Sequence, residues 1–69
     1  MRKMVKLTNK ATNESLFMLI SSVGEHVFKI TNDVNVMNHA ISWCNRHNIG
    51  ETIEYDDFSI ELTEEVPVK

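Results

Sequence analysis

A chain of 69 residues with 42% hydrophobic and 25% charged residues, two glycines and one proline has the composition of one folded domain rather than of a disordered segment. At this length only about 60% of the unfolded surface can be buried, so the core is small. A net charge of −3 opposes a general nucleic-acid binder, the single Cys44 excludes an intramolecular disulfide framework, and no apolar run approaches the ~20 residues that span a bilayer.

Residues 4–8 alternate, with Val5 and Leu7 on one side and Lys6 and Thr8 on the other, which predicts a half-buried strand. The polar stretch 9–13 predicts a turn. Leu16, Phe17, Met18, Leu19 and Ile20 form an uninterrupted apolar run, followed by Ser21, Ser22 and Val23-Gly24 and then by an alternating run over 26–31. This reads as a hairpin turning at Val23-Gly24, with Phe17, Leu19, Phe28 and Ile30 on one face and Leu16, Met18, Ile20 and Val27 on the other.

Asn32 and Asp33 are good helix N-caps and Gly50 is a good residue to stop on. Between them one amphipathic helix is expected, with Val34, Met37, Ile41 and Cys44 in the middle of its buried stripe. After it the apolar parity flips from Ile53 and Tyr55 to Phe58, Ile60 and Leu62. A two-residue turn at Asp56-Asp57 explains the flip by placing Tyr55 opposite Phe58 and Ile53 opposite Ile60, and a continuous strand with a bulge is the alternative. The expected fold is therefore α+β, β-β-β-α-β-β, an antiparallel sheet of hairpins with one helix packed on one face. Residues 1–69 form a single domain, with 63–69 as a loose acidic tail. Lys6-Leu7-Thr8-Asn9 is echoed by Lys29-Ile30-Thr31-Asn32, which reads as two strands that share a Thr-Asn exit.

The charge is segregated: residues 1–10 carry Arg2, Lys3, Lys6 and Lys10 without an acid, whereas 51–69 carry seven acids against Lys69. Either the two ends pair across neighbouring strands, or the acids form a face that steers a basic partner. The run 16–20 is apolar on both sides while one helix covers only one. Either another strand curls over the second side, or Leu16, Met18, Ile20 and Val27 form an exposed patch for a partner or a second copy.

Catalytic chemistry finds little support. Cys44 and His47 are three apart on a helix, a spacing common by chance, and a cysteine on an apolar helix face is ordinarily a core residue. Asp56-Asp57 and Glu64-Glu65 lie in a turn and a tail, where carboxylates stay solvated. No metal, cofactor or catalytic residue is assigned. The helix's polar side carries Asn35, Asn38, His39, Ser42, Asn45 and Arg46, with neither Lys nor Glu. Such short hydrogen-bonding groups suit a recognition surface.

The expectation is a cytoplasmic, non-enzymatic protein-binding module, with no signal peptide and no membrane contact, of the inhibitor or adaptor kind that phages and other mobile elements encode. It would bind a larger protein through Leu16, Met18, Ile20 and Val27 together with Glu54, Asp56, Asp57 and Glu61. The alternative is a homodimeric nucleic-acid-associated regulator using the Asn-rich helix side and the basic N-terminus.

Overall fold

A computed structural model describes residues 3–64. Strand β1 (Lys3–Asn9) turns back into β2 (Glu14–Leu19), which runs without a loop into helix α1 (Ile20–Thr31). Helix α2 (Val34–Arg46) follows, and strands β3 (Thr52–Glu54) and β4 (Phe58–Glu64) close the fold. The four strands form one antiparallel sheet in the order β2-β1-β4-β3. The α+β class, the antiparallel sheet and the hairpin of β3 with β4 stand as expected, whereas the hairpin expected to turn at Val23-Gly24 does not form and β2 pairs with β1 instead. The order of elements is β-β-α-α-β-β, because the expected third strand is a helix.

That correction has a local cause. Within residues 20–31 the apolar positions Ile20, Val23, Val27 and Ile30 recur at i, i+3, i+7 and i+10, which is one face of a helix. The alternation over 26–31 competes with this longer-range period and loses, because a helix there lays Val23 and Val27 fully into the core. Gly24 is consequently not a turn residue. It lies buried inside α1 against α2, where an added Cβ would come within 2.8 Å of Ile41 Cδ1, so the absent side chain sets how closely the helices approach.

The junction between the helices follows from two residues. Asn32 takes the left-handed conformation at φ 54° and its N–H donates to the Phe28 carbonyl, which ends α1. Asp33 Oδ1 accepts from the Asn35 and Val36 N–H groups at 2.9 and 3.4 Å, which starts α2. Of the two expected N-caps, only Asp33 serves as one. The buried stripe of α2 is centred on Ala40 and Cys44, and Val34 is exposed at its start. Gly50, at φ 99°, lies in the turn beyond the helix, which ends at Arg46. The Lys3 ammonium caps that end from β1, donating to the Cys44 and His47 carbonyls at 3.1 and 2.7 Å.

The β3–β4 hairpin follows the parity of its apolar residues. Ile53 pairs with Ile60, and the Tyr55 N–H donates to the Phe58 carbonyl at 2.8 Å, leaving Asp56 and Asp57 as the two-residue turn. The rings of Tyr55 and Phe58 stack at 4.5 Å. Thr63 and Glu64, expected in the loose tail, continue β4 opposite Met4 and Lys3; 65–69 lie outside the described residues.

Val5 and Leu7 of β1, Met18 of β2 and Phe58, Ile60 and Leu62 of β4 form one buried cluster with Val23, Val27, Ala40 and Cys44 from the helices. All of it lies on one side of the sheet. Gly24→Ala is expected to leave stability nearly unchanged, since a better helix former offsets a small displacement of the Ile41 tip. Gly24→Val is expected to lower it by about 1 to 3 kcal/mol through overpacking. Urea denaturation of the two variants distinguishes a helix–helix contact from a turn glycine.

Candidate functional site

The strand register determines what the uncovered side of the sheet displays. Three transverse rows cross it: Leu19, Met4 and Thr63; Phe17, Lys6, Glu61 and Thr52; Ser15, Thr8, Ser59 and Glu54. Its chemistry changes from edge to edge. Phe17, 63% exposed, and Leu19, 37% exposed, sit on β2, Lys6 occupies the middle beside Glu61, and hydroxyls with Glu54 fill the β3 side. Thr8 Oγ1 and Ser15 Oγ are hydrogen-bonded at 2.8 Å.

The expected partner patch is divided by this arrangement. Met18 and Val27 are core residues, 7% and 0% exposed, and Ile20 packs against the same core. Only Leu16 remains exposed, at the edge of the covered side. The exposed apolar pair on the other side is Phe17 and Leu19, which had been expected to face inward with Phe28 and Ile30. The signal that would have found them is the first hairpin rather than the second. The loop over 10–13 pairs Val5 with Met18 and Leu7 with Leu16, so the even-numbered β2 residues share the buried side of Val5 and Leu7.

The acids also separate. Glu54, Asp56, Asp57 and Glu61 are all exposed, but they belong to the β3–β4 hairpin, across the sheet from β2. At about 4.8 Å per strand, the two outer strands are roughly 14 Å apart. Glu54 accepts from Lys10 Nζ at 3.1 Å, and Lys10 also donates to the Tyr55 carbonyl at 2.7 Å. Lys3 faces Glu64 and Lys6 faces Glu61 across β1 and β4. The charge gradient of the sequence is therefore folded onto itself, with the basic strand laid along the acidic one; Arg2, Glu65 and Lys69 fall outside the described residues.

The polar side of α2 is exposed at all six expected positions, Asn35, Asn38, His39, Ser42, Asn45 and Arg46. His39 Nδ1 and the Tyr55 hydroxyl are hydrogen-bonded at 2.6 Å, and Asn45 Nδ2 donates to the Ile41 carbonyl. Burial pushes the Tyr55 phenol above its ordinary value, with Cys44 adding to the effect. Of the basic residues described near the N-terminus, Lys3 caps α2 and Lys10 holds the β3–β4 hairpin, while Lys6 lies on the far side of the sheet.

Cys44 is fully buried, and desolvation pushes its thiol up to about 11 against a smaller lowering by Lys3. His47 stacks on Trp43 at 4.6 Å and shares a hydrogen bond of 3.1 Å with Glu51. The Glu51 carboxylate is held below its usual range first by the Asn48 N–H and then by His47. These contacts close the chain reversal after α2. Among the described residues no group of three or more His, Cys, Asp or Glu is placed to hold a metal ion, and no helix is long and apolar enough to cross a membrane.

A cleft of about 360 Å³ opens where α1 overhangs the β1–β2 hairpin. Leu7, Leu16 and Ile30 contribute its apolar lining, and Glu14, His26 and Lys29 its polar lining. Lys29 lies 3.8 Å from Glu25 and His26 Nδ1 bonds the Ser22 carbonyl, so both basic groups have partners within α1. Comparison with family models, with curated proteins and with solved structures finds no match to this chain.

Cys44 should resist thiol reagents in the folded protein at neutral pH and react only when denaturant is added. Its folded pKa is raised above that of the free thiol, so the unfolded chain loses the proton first. Stability is expected to fall as pH rises from 9 toward 11, read from urea midpoints, and a Cys44→Ala variant should lack this component.

Proposed function

We propose that the protein is a non-enzymatic interaction module, an inhibitor or adaptor that acts by occupying a surface of a larger protein. The observation that carries this reading is the uncovered side of the sheet, where Phe17 and Leu19 stand exposed beside Met4 and Lys6. An aromatic ring held on a rigid strand costs little side-chain entropy to bury and makes an effective binding anchor. Glu61 lies next to Lys6, and Glu54 lies farther along the same surface, so a partner is met by both signs of charge. Such a mixed surface suits a protein better than a polyanion, which needs clustered cations. The buried thiol of Cys44 supports a role without covalent catalysis. The nucleic-acid alternative is less favoured, because Lys3 and Lys10 are engaged within the fold and Lys6 stands opposite Glu61.

The reading is tested by capturing partners from the native host with wild-type and variant baits. Wild type is expected to retain one protein in stoichiometric amount. Phe17→Ala is expected to weaken that complex by about 2 kcal/mol, roughly thirtyfold in Kd, without changing the fold. Glu61→Lys should alter the association rate and its salt dependence. Equal retention by wild type and Phe17→Ala would sink the assignment of this surface. Retardation of duplex DNA by micromolar protein would favour the nucleic-acid reading instead.

A further inference from the structure

The two edges of the sheet are managed differently. β3 is three residues long and carries Glu54, which is how soluble proteins blunt an edge against unwanted pairing. β2 is six residues long, has no proline, and its only charge is Glu14 at the first position. Five of its six residues are exposed. Its outer row of backbone groups is thus presented on a largely apolar edge strand.

We propose that β2 pairs antiparallel with β2 of a second copy, joining two four-stranded sheets into one of eight. A two-fold axis between antiparallel strands is perpendicular to the sheet and must pass through a residue opposite itself, which keeps both pairs of helices on the same side. Opposed side chains then share a side of the sheet. Centred on Phe17, the pairing sets Phe17 against Phe17 of the second copy, Leu16 against its Met18, and Ser15 against its Leu19. The two phenyl rings meet on the uncovered side, while Leu16, 54% exposed and lining the α1 cleft, is covered on the other. Centring on Leu16 instead would set Glu14 against Met18 and press a carboxylate onto the core.

A charge match selects the same register. Centred on Phe17, the pairing brings Glu14 level with Ile20 of the second copy, the first residue of its α1. That helix starts at Leu19 with no side-chain cap and has no acid in its first turn. Its unpaired N–H groups and positive dipole end favour a carboxylate, and Glu14 of the other copy supplies one, twice across the axis.

Light scattering and covalent trapping of the pure full chain test this without reference to any partner, so its failure is distinct from failure of the binding reading. Wild type is expected to have twice the chain mass, and Phe17→Lys the mass of one chain. Glu14→Lys is expected to weaken dimerisation by about fivefold. Opposed Cα atoms about 4.5 to 5.5 Å apart suit a disulfide, so Phe17→Cys should cross-link to itself under mild oxidation. Ser15→Cys alone should not, whereas Ser15→Cys combined with Leu19→Cys, which keeps Phe17, should. Cys44 is buried and does not compete. A monomer at millimolar wild-type concentration overturns the inference and leaves the edge to a foreign strand; so does a dimer that neither cross-link traps.

Discussion

Everything in this molecule hangs on the pairing of β1 with β4 in the middle of the sheet. Val5 and Leu7 lie opposite Leu62 and Ile60, and these four side chains, nearly inaccessible to water, are the floor on which both helices rest. Each hairpin contributes one central strand and one outer strand, so neither could bury this floor alone. The same pairing brings the basic start of the chain against its acidic end, and it places Lys3 where it can terminate α2. Fold, charge distribution and helix capping are thus three results of one strand contact.

What the sequence revealed depended on whether the deciding contact was local. The turn at Asp56-Asp57 was legible because a flip in apolar parity needs only neighbouring residues, and the Ile53–Ile60 pair follows from it. The polar side of α2 was legible for the same reason. In α1 two local periods compete, the helical spacing of Ile20, Val23, Val27 and Ile30 and the strand-like alternation over 26–31, and burial of Val23 and Val27 in the core decides between them. The repeated Lys-(Leu/Ile)-Thr-Asn makes the point directly. At 6–9 it ends a strand, and at 29–32 it ends a helix, with only the Asn exit in common.

The state of residues 26–31 also determines which side of β2 meets solvent. With an imagined strand over 26–31, β2 had to share its sides with Phe28 and Ile30, and Phe17 and Leu19 were turned inward. The true neighbour of β2 is β1, whose Lys6 and Thr8 already mark the solvent side. Composition marks β2 as an apolar run, and the identity of its neighbouring strand decides which of its residues lie on which side of the sheet. The acids suffered no such inversion, because a charged hairpin is exposed under either arrangement. The separation of Glu54, Asp56 and Asp57 from Phe17 by the width of the sheet, with Glu61 one strand nearer, is a property of strand order, which no local pattern encodes.

The Lys3–Glu64 pair joins the first and last of the described residues, and it has a consequence for the order of events in folding. Contacts this distant in sequence close late, after the loop entropy between them has been overcome. Until β4 docks beside β1, the β1–β2 hairpin and both helices lack the strand that completes their floor, and Val5 and Leu7 lack their partners. An intermediate in which the two hairpins have not yet met therefore carries these apolar surfaces unprotected, and its lifetime sets the window for misassociation.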